Sequence, residues 1–245
     1  MLLLNADLGE SWYTHRIGDD AALLPYLDCC NLACGFHGGD ALTLQHTIEL
    51  ANHHGVAIGA HPSFPDRKHF GRQPMHLSPE RLYALLLYQV SALQGMVRAL
   101  TGAPLHHLKP HGALYHYANQ HPAAARATAR VAQQLDIQRL MGPPEGRLRE
   151  ASGTAGLGYL AEGFADRVYE PSLRLRSRSE PDACIDDPGR AAAQAYEMAA
   201  HHRVRDAAGQ YHTLAVDTIC LHGDHAGAAE RAGAIRDRLA SIPPR

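Results

Sequence analysis

Residues 30–61, CNLACGFHGGDALTLQHTIELANHHGVAIGAH, contain one complete strand–helix–strand unit. The apolar run Cys30–Ala33 leads into a polar loop that is rich in glycine, and a helical stretch follows at Ala41–His54. A second apolar run, Val56–Ile58, then leads into another polar loop. We expect the two strands to lie parallel, because strands that are joined through a covering helix run in the same direction.

The same alternation extends over the whole chain of 245 residues. Strands are predicted at Leu2–Leu4, Cys30–Ala33, Val56–Ile58, Leu105–Leu108, Arg139–Met141, Gly156–Ala161 and Thr213–Leu221. Helices are predicted at Ala41–His54, Ser78–Leu100, Ala123–Leu135, Glu145–Ala151, Gly189–His202 and Ala226–Ala240. Seven strand–helix units without a linker favour one α/β domain, residues 1–245, folded as a closed and irregular (β/α) barrel of the TIM-like kind. An open doubly wound sheet is the alternative.

Composition excludes some classes of protein. Lys and Arg number 23 against 25 Asp and Glu, so the charge does not fit a strongly basic nucleic-acid-binding protein. The five cysteines include no C-x-x-C pair, which is typical of reduced thiols in the cytoplasm. The first residues do not have the pattern of a signal peptide, and no apolar stretch reaches 18 residues. We therefore expect a cytoplasmic protein without nucleic-acid or membrane partners.

Polar side chains follow almost every predicted strand, and they include several of the 18 histidines. In a (β/α) barrel the active site lies at the carboxyl ends of the strands, so these side chains are expected to converge on one mouth. Carboxylates beside Lys or His are the usual source of tuned acid–base groups. The residues concerned are Asp7, Glu10, His37, Asp40, His61, Asp66, Lys109, His111, Glu162, Asp166, Arg167, His222 and Asp224.

Several of these residues also have a plain structural explanation. Asp40 and Asp224 are suited to cap the helices that follow them, since Asp is a preferred N-cap residue. A lone histidine after a strand is more often a hydrogen-bonding loop residue than a ligand or base, and Lys109 could lie on the surface. The remaining grouped histidines are interpreted as solvated or structural: His46, His53, His54, His106, His107, His201 and His202.

The loops also contain groups that suit an anionic ligand. Arg72 and Arg167 are natural clamps for a carboxylate, because a guanidinium donates two parallel hydrogen bonds. Glycines in the loops let the backbone approach a ligand closely: Gly35, Gly38, Gly39, Gly59, Gly71 and Gly112. The sequence has no G-x-x-x-x-G-K-[ST] motif, so it contains no familiar nucleotide site. The motifs H-E-x-x-H and G-x-S-x-G are also missing.

Seven motifs together resemble the LamB/YcsF family, the A subunits of prokaryotic 5-oxoprolinase. They are Asn5–Glu10, Asn31–Asp40, Gly59–Asp66, Phe70–Arg72, Lys109–Tyr115, Glu162–Arg167 and Thr218–Asp224. The resemblance implies a fold akin to the glycoside hydrolase/deacetylase barrels. It also implies a hydrolase that opens the lactam ring of 5-oxoproline to give glutamate in an ATP-dependent, multisubunit complex. ATP is then used through two partner subunits, which activate the lactam by phosphorylation.

Three positions depart from the motifs of that family. Ala6 stands where the first motif has Cys, and Gly163 stands where a larger residue often precedes FADR. Gln73 stands where a second Arg often follows FGR. Because only the change at position 73 removes an ionisable group, it alone puts the grip on the substrate carboxylate in doubt.

The chemistry of lactam opening assigns roles to the candidate residues. An amide needs an activated water, a stabilised oxyanion and a proton for the leaving nitrogen. Asp7, Glu10 or His61 is expected to be the base, and His111 or Lys109 is expected to stabilise charge or donate the proton. Substrate binding is expected from His37, Asp40, Arg72, Glu162, Asp166, Arg167, His222 and Asp224.

Two other functions stay open at this point. A metal-dependent deacetylase or amidohydrolase could use Asp7, His37 and His61 as ligands of a divalent ion, although the H-x₃-H pair of the deacetylases is missing. A non-catalytic subunit that binds a lactam would need no base at all. The sequence leaves the presence of a metal and the oligomeric state undecided.

Overall fold

The computed structural model describes residues 2–224 and 226–242. Its strands are β1 Leu3–Leu8, β2 Cys29–Ala33, β3 Ala57–His61, β4 Arg139–Gly142, β5 Gly158–Phe164, β6 Arg203–Arg205, β7 Tyr211–Thr213 and β8 Thr218–His222. Its α-helices are α1 Asp20–Leu23, α2 Ala41–His53, α3 Pro79–Thr101, α4 Gly112–Gln120, α5 Pro122–Gln134, α6 Arg147–Thr154, α7 Pro188–His201 and α8 Ala228–Ala240. Short 3₁₀ turns lie at Leu24–Tyr26 and Arg67–His69.

Six strands form one parallel sheet in the order β3-β2-β1-β8-β5-β4. The first and last of these strands, β1 and β8, pair in the middle of the sheet. The order continues through β2 to β3 on one side and through β5 to β4 on the other, while β6 and β7 form a separate two-stranded sheet. The predicted α/β class with parallel strands is therefore confirmed. Within the described residues no helix is both long and apolar enough to cross a membrane.

The two ends of the sheet are joined by residues 106–109. Leu108 bridges to Ala60 in β3 and to Leu140 in β4, both in the parallel sense. The amide of Lys109 donates to the carbonyl of Ala60 at 2.9 Å, and the amide of Met141 donates to the carbonyl of Leu108 at 3.0 Å. The sheet thus curls into a closed ring. The strand predicted at Leu105–Leu108 is present only as isolated bridges, so the prediction of seven strands is not confirmed.

Both faces of the ring strands are buried, but their chemistry differs. In β1, Leu4, Ala6 and Leu8 are buried and belong to the apolar core. The alternating residues Asn5 and Asp7 instead hydrogen-bond to polar side chains of neighbouring strands. Because successive side chains of a strand point to opposite faces, the ring has an apolar outside under the helices and a polar inside.

The residues that were expected to begin α2 and α3, and the residue expected to end α3, do so in the structure. Ser78 caps α3 by accepting from the amide of Arg81 at 3.3 Å, Pro79 begins it, and Gly102 ends it with a left-handed φ of 72°. Asp40 caps α2 by accepting from the amides of Leu42 and Thr43. The structural explanation considered for Asp40 is therefore confirmed.

Two further segments differ from the prediction. The predicted strand Thr213–Leu221 is divided: Tyr211–Thr213 pairs with Arg203–Arg205 in a separate antiparallel hairpin, and β8 begins only at Thr218. Leu214 and Val216 keep the apolar pattern between them, so the sequence contained no visible break. Helix α4 was not predicted, because Pro110 and Gly112 at its start are typical of a loop.

Candidate active site

A cavity of about 330 Å³ opens at the carboxyl ends of β1, β3 and β8. Nine of the predicted site residues line it: Asp7, Glu10, His61, Arg72, Lys109, His111, Arg167, His222 and Asp224. The convergence expected from the strand ends is therefore observed for these nine. The other five lie outside the lining: His37, Asp40, Asp66, Glu162 and Asp166.

Lys109 is the fixed cation at the floor of the cavity. Its Nζ lies 2.9 Å from Oδ1 of Asp7 and 2.8 Å from Oε1 of Glu162, and the residue is only 2% exposed. Burial by itself would lower the pKa of this ammonium group, but the charges of Asp7 and Glu162 hold the pKa well above its usual value. Lys109 therefore stays charged, and the alternative of a surface lysine is wrong.

Three neighbouring side chains hold the carboxylate of Asp7. Its Oδ1 accepts from Nδ2 of Asn31 at 2.8 Å as well as from Lys109, and its Oδ2 lies 3.2 Å from Nε2 of His61. Burial would raise the pKa of the Asp7 carboxyl, but His61 and Lys109 hold that pKa well below its usual value. Asp7 is thus ionised wherever the protein is folded near neutral pH.

His61 and His111 face each other across the floor. Nδ1 of His61 lies 2.8 Å from the backbone carbonyl of Lys109, and Nε2 of His111 lies 2.8 Å from the carbonyl of Phe70. Since a carbonyl only accepts, both of these nitrogens must carry the hydrogen. The remaining nitrogens, Nε2 of His61 and Nδ1 of His111, are 2.9 Å apart.

Glu10 and His37 form a second layer beside this pair. Oε1 of Glu10 lies 3.0 Å from Nε2 of His37 and 3.6 Å from Nδ1 of His111. Burial, followed by the charge of Asp7, raises the pKa of the Glu10 carboxyl well above its usual value. His37 is fully buried and stacks on His111 with ring centroids 3.6 Å apart. It therefore holds the ring of His111 and the carboxylate of Glu10 in position.

Positive charge surrounds the mouth. Arg72 donates to Oδ2 of Asp224 at 2.8 Å, and Arg178 lies 3.4 Å from the same oxygen. Arg167 donates to the backbone carbonyls of Ala183 and Arg176, which fixes its guanidinium beside the cavity. Asp224 thus pairs with arginines, and the structure does not place it as a cap of α8, whose N-cap is Gly227.

Two of the residues outside the lining support groups that are inside it. Asp166 accepts from both the amide and Nδ1 of His222, at 2.7 and 3.0 Å. Burial would raise its pKa, but His222 lowers the pKa of Asp166 to about 2. Glu162 holds Lys109 and also accepts from the hydroxyl of Tyr115 at 3.0 Å.

Two others have capping roles instead. Asp40 caps α2 and accepts from the amide of Tyr13, away from the floor of the cavity. Asp66 accepts from the amide of His69 and so caps the 3₁₀ turn Arg67–His69. The structure therefore gives both carboxylates a local task in the backbone rather than a place in the cavity.

Several supporting residues were not predicted. Nδ2 of Asn31 donates to Asn5 and Asp7, so its Oδ1 must accept from Nε2 of His107 at 2.6 Å. Part of the signal was present, because Asn5 and Asp7 lie two residues apart and therefore on one face of β1, but the register that pairs Asp7 with Asn31 of β2 is seen only in the structure. His107 is fully buried and structural, as interpreted from the sequence.

Four of the floor residues could also hold an ion. Asp7, Glu10, His61 and His111 each offer one ligand atom, and these four atoms lie within 4.8 Å of one another. His37 is not a member of this group, so the structure assembles a different set from the predicted Asp7, His37 and His61. The site therefore combines an ionised carboxylate, a fixed ammonium group and two imidazoles. These groups are suited to acid–base catalysis or to metal-assisted catalysis.

Known proteins share both the sequence and the fold of this chain. The model of the LamB/YcsF family matches residues 2–242. The A subunit of 5-oxoprolinase from Methylococcus capsulatus is 46% identical over 239 residues, covering 97% of this chain and 92% of that protein. The protein of the same name from Symbiobacterium thermophilum is 42% identical, covering 96% and 90%. The crystal structure of a lactam utilization protein from Thermus thermophilus superposes with a TM-score of 0.90 at 41% identity, covering 98% and 96%.

Proposed function

The chain belongs to the LamB/YcsF family, and on that basis we propose that it is the A subunit of an ATP-dependent 5-oxoprolinase. The reaction is hydrolysis of a cyclic amide: water adds to the lactam carbonyl of 5-oxoproline, the C–N bond breaks, and glutamate is released. The names of its relatives support this substrate. The observation that carries the proposal is the floor cluster of Asp7, Lys109, His61 and His111, which lines a cavity of about 330 Å³.

The mouth suits the carboxylate of the substrate. Arg72, Arg167 and Arg178 all line the cavity, and guanidinium groups bind carboxylates through parallel hydrogen bonds. A substrate held there by its carboxylate directs its lactam ring toward the floor. Gln73, the position at which the chain departs from the family motif, is not part of the lining, so the three arginines supply this grip without it.

The floor supplies the three groups that ring opening needs. Water loses its proton to the group formed by Asp7 and His61, whose Oδ2 and Nε2 are 3.2 Å apart. Lys109 supplies fixed positive charge close to the phosphorylated lactam oxygen, whose negative charge increases as the ring carbon becomes tetrahedral. Glu10, whose pKa is raised by burial and by Asp7, supplies a proton to the leaving nitrogen.

ATP enters the proposal through other chains. Phosphorylation of the lactam oxygen would make the ring carbon a better electrophile, and this chain has no P-loop motif with which to do it. We assign that step to two partner subunits of the same complex. The chain described here then receives the activated lactam: water adds to the ring carbon and the C–N bond breaks to leave γ-glutamyl phosphate, which a second water hydrolyses to glutamate and inorganic phosphate.

The closed ring belongs to the same proposal. We interpret it as a (β/α) barrel of the glycoside hydrolase/deacetylase type that forms a single domain. Residues 106–109 take the seventh strand position, since they bridge β3 and β4 in the parallel sense. This interpretation explains why the polar side chains meet at one end of the sheet.

The proposal is tested by measuring glutamate release from 5-oxoproline and ATP in the presence of the two partner subunits. Release is expected only when this chain is added, and Asp7→Asn is expected to slow it by roughly 100-fold or more. His46→Gln, on the exposed side of α2, is the matched control and should retain full activity.

Two outcomes would contradict the proposal. A complete mixture that releases no glutamate would exclude the 5-oxoprolinase role. Full activity of a folded Asp7→Asn variant would remove the floor cluster from the chemistry and favour the non-catalytic, lactam-binding alternative. Assembly of the variant with its partners, followed by size-exclusion chromatography, shows that any loss of activity is not a loss of the complex.

A further inference from the structure

We propose that Asp7, Glu10, His61 and His111 bind one divalent transition-metal ion at the floor of the cavity. This site goes beyond the proposed reaction, because it can be measured on the isolated chain whatever substrate the protein uses. All four residues line the cavity, and their ligand atoms lie within 4.8 Å of one another. An ion held by them would have one side open to a water or to a substrate oxygen, and it would then replace the Asp7–His61 pair as the group that activates that water.

The first argument is the conflict between two lone pairs. Nδ1 of His61 and Nε2 of His111 donate to backbone carbonyls, so Nε2 of His61 and Nδ1 of His111 are left without hydrogens in the neutral rings. These two acceptors face each other at 2.9 Å. Two acceptors at this distance repel unless a cation lies between or beside them. The separation fits two ligands at about 2.0–2.1 Å from one ion with an angle near 90°.

The second argument is the set of outer partners. Metal-binding histidines almost always donate their other ring N–H to a carbonyl or carboxylate, and both imidazoles do so here. The carboxylates are held in the same way. Oδ1 of Asp7 accepts hydrogen bonds from Asn31 and Lys109, which leaves Oδ2 directed at His61. Oε1 of Glu10 lies 3.0 Å from Nε2 of His37. Each ligand is therefore oriented before an ion arrives.

The donor set defines the kind of ion. Two imidazoles and two carboxylates suit Zn²⁺, Mn²⁺, Fe²⁺ or Co²⁺, and the absence of thiolate in the cluster argues against Cu(I). An ion that binds there displaces the proton of Glu10, so that Asp7 and Glu10 are both ionised and balance its charge of +2. Lys109 does not compete with the ion for Oδ2 of Asp7, because its Nζ lies between Oδ1 of Asp7 and Oε1 of Glu162.

The competing occupant is a proton shared by His61 and His111, and metal binding by the tag-free chain separates the two. The protein is freed of metal with a chelator and titrated with Zn²⁺ against a chromophoric competitor, and separately with Co²⁺. We expect about one tight site per chain and visible Co²⁺ d–d absorption bands. His111→Leu and Asp7→Asn should each weaken Zn²⁺ binding by more than the 10–100-fold cost of losing an outer partner, and should abolish the Co²⁺ bands.

The control removes an exposed pair of histidines instead. His53 and His54 are neighbours at the end of α2, with ring centroids 5.1 Å apart. The double variant H53Q/H54Q should keep the tight site and the absorption bands. Circular dichroism and thermal melting show whether each variant is folded.

Three outcomes would overturn the proposal. They are no tight Zn²⁺ binding by the wild-type chain, binding that survives H111L and D7N, and binding that is lost only in H53Q/H54Q. The wild-type titration decides the matter even if H111L fails to fold. Because no turnover is measured, failure of this site is distinguishable from failure of the 5-oxoprolinase role.

Discussion

Lys109 shows how one residue fixes the charge of the whole site. Its ammonium group separates two buried carboxylates, Asp7 and Glu162, at 2.9 and 2.8 Å. A buried ion pair contributes little net stability when it is complete, but removing one partner leaves an uncompensated charge. At this position two such charges would remain.

Lys109→Met is therefore expected to destabilise the fold by about 3–5 kcal/mol. Urea unfolding followed by circular dichroism measures the change. The double variant Lys109→Met/Glu162→Gln is expected to recover part of that loss, because it also removes one of the two stranded charges. Equal stability of wild type and Lys109→Met would mean that Asp7 and Glu162 do not depend on the ammonium group.

Asp166 makes the stability of the fold depend on pH in the acid range. Its folded-state pKa of about 2 lies below the ordinary value, so the carboxylate stabilises the folded state fully above about pH 5. That contribution is lost as the pH falls through 4 toward 2. By linkage the shift corresponds to roughly 2 kcal/mol.

Asp166→Asn is expected to lower the free energy of unfolding by about this amount at pH 7 and by almost nothing at pH 2. Denaturant unfolding at a series of pH values checks it. A destabilisation that is the same at both pH values would assign the effect to lost packing rather than to the ionised carboxylate. The variant Asp187→Asn, at the N-cap of α7, is a carboxylate control with no cavity contact.

Individual side chains could be predicted where they follow an apolar run. Asp7, His61 and His222 were identified because each ends a strand of predictable pattern. Asn31 and Tyr115 were not, because an asparagine inside an apolar strand and a tyrosine in a helix have common structural uses. Asp40 had two explanations of equal quality in the sequence, and only its hydrogen bonds to the first turn of α2 decide for the cap.

At the scale of the element, Gly59 in β3 is the clearest constraint. It was expected in a loop, yet it lies in the middle of β3 and pairs with Asn31 of β2. A Cβ at this position would lie 2.2 Å from the ring of His107, which comes from the segment that closes the sheet. The absence of a side chain at 59 is what lets residues 106–109 approach β3.

Gly59→Ala is therefore expected to destabilise the protein by at least about 1–3 kcal/mol, the usual cost of overpacking. Gly95→Ala is the matched control, because Gly95 lies on the exposed side of α3 with open space around its Cα. There alanine should stabilise the helix by about 0.5–1 kcal/mol. Thermal unfolding of both variants gives the comparison, and a neutral Gly59→Ala would contradict the packing described.

The boundaries of strands were the weakest part of the prediction. β1 was expected to end at Leu4 and β5 at Ala161, but they continue to Leu8 and Phe164. Both extensions contain an acidic residue, Asp7 or Glu162, which is typical of a loop in a soluble protein. Because the inside of this ring is polar, such residues lie within strands, and local pattern alone cannot detect it.

At the scale of the whole molecule, the closure of the ring depends on very few hydrogen bonds. Residues 106–109 contact β3 on one side and β4 on the other. The number of strand–helix units could be counted from the sequence, and it indicated a ring. The shortness of this closing segment could not be predicted, since it depends on how Leu108 fits between Ala60 and Leu140.

If this closure is part of the cooperative fold, its amides exchange only when the whole protein unfolds. We expect the amides of Leu108, Lys109 and Met141 to show protection equal to that of β1, which corresponds to the global free energy of roughly 5–15 kcal/mol. Hydrogen–deuterium exchange read by mass spectrometry measures it. Exchange many times faster than in β1 would mean that the ring opens locally at residues 106–109.

The pairing of β1 with β8 has a consequence for synthesis on the ribosome. Leu3–Leu8 leaves the ribosome early, but its neighbour Thr218–His222 is made more than 200 residues later. At 5–20 residues per second, one edge of β1 waits unpaired for roughly 10–40 s, and an exposed strand edge invites association with other chains. The unpaired edge of β1 must be kept from other chains during this interval. Asp7 pairs with its register partner His222 only after residues 218–222 have been made.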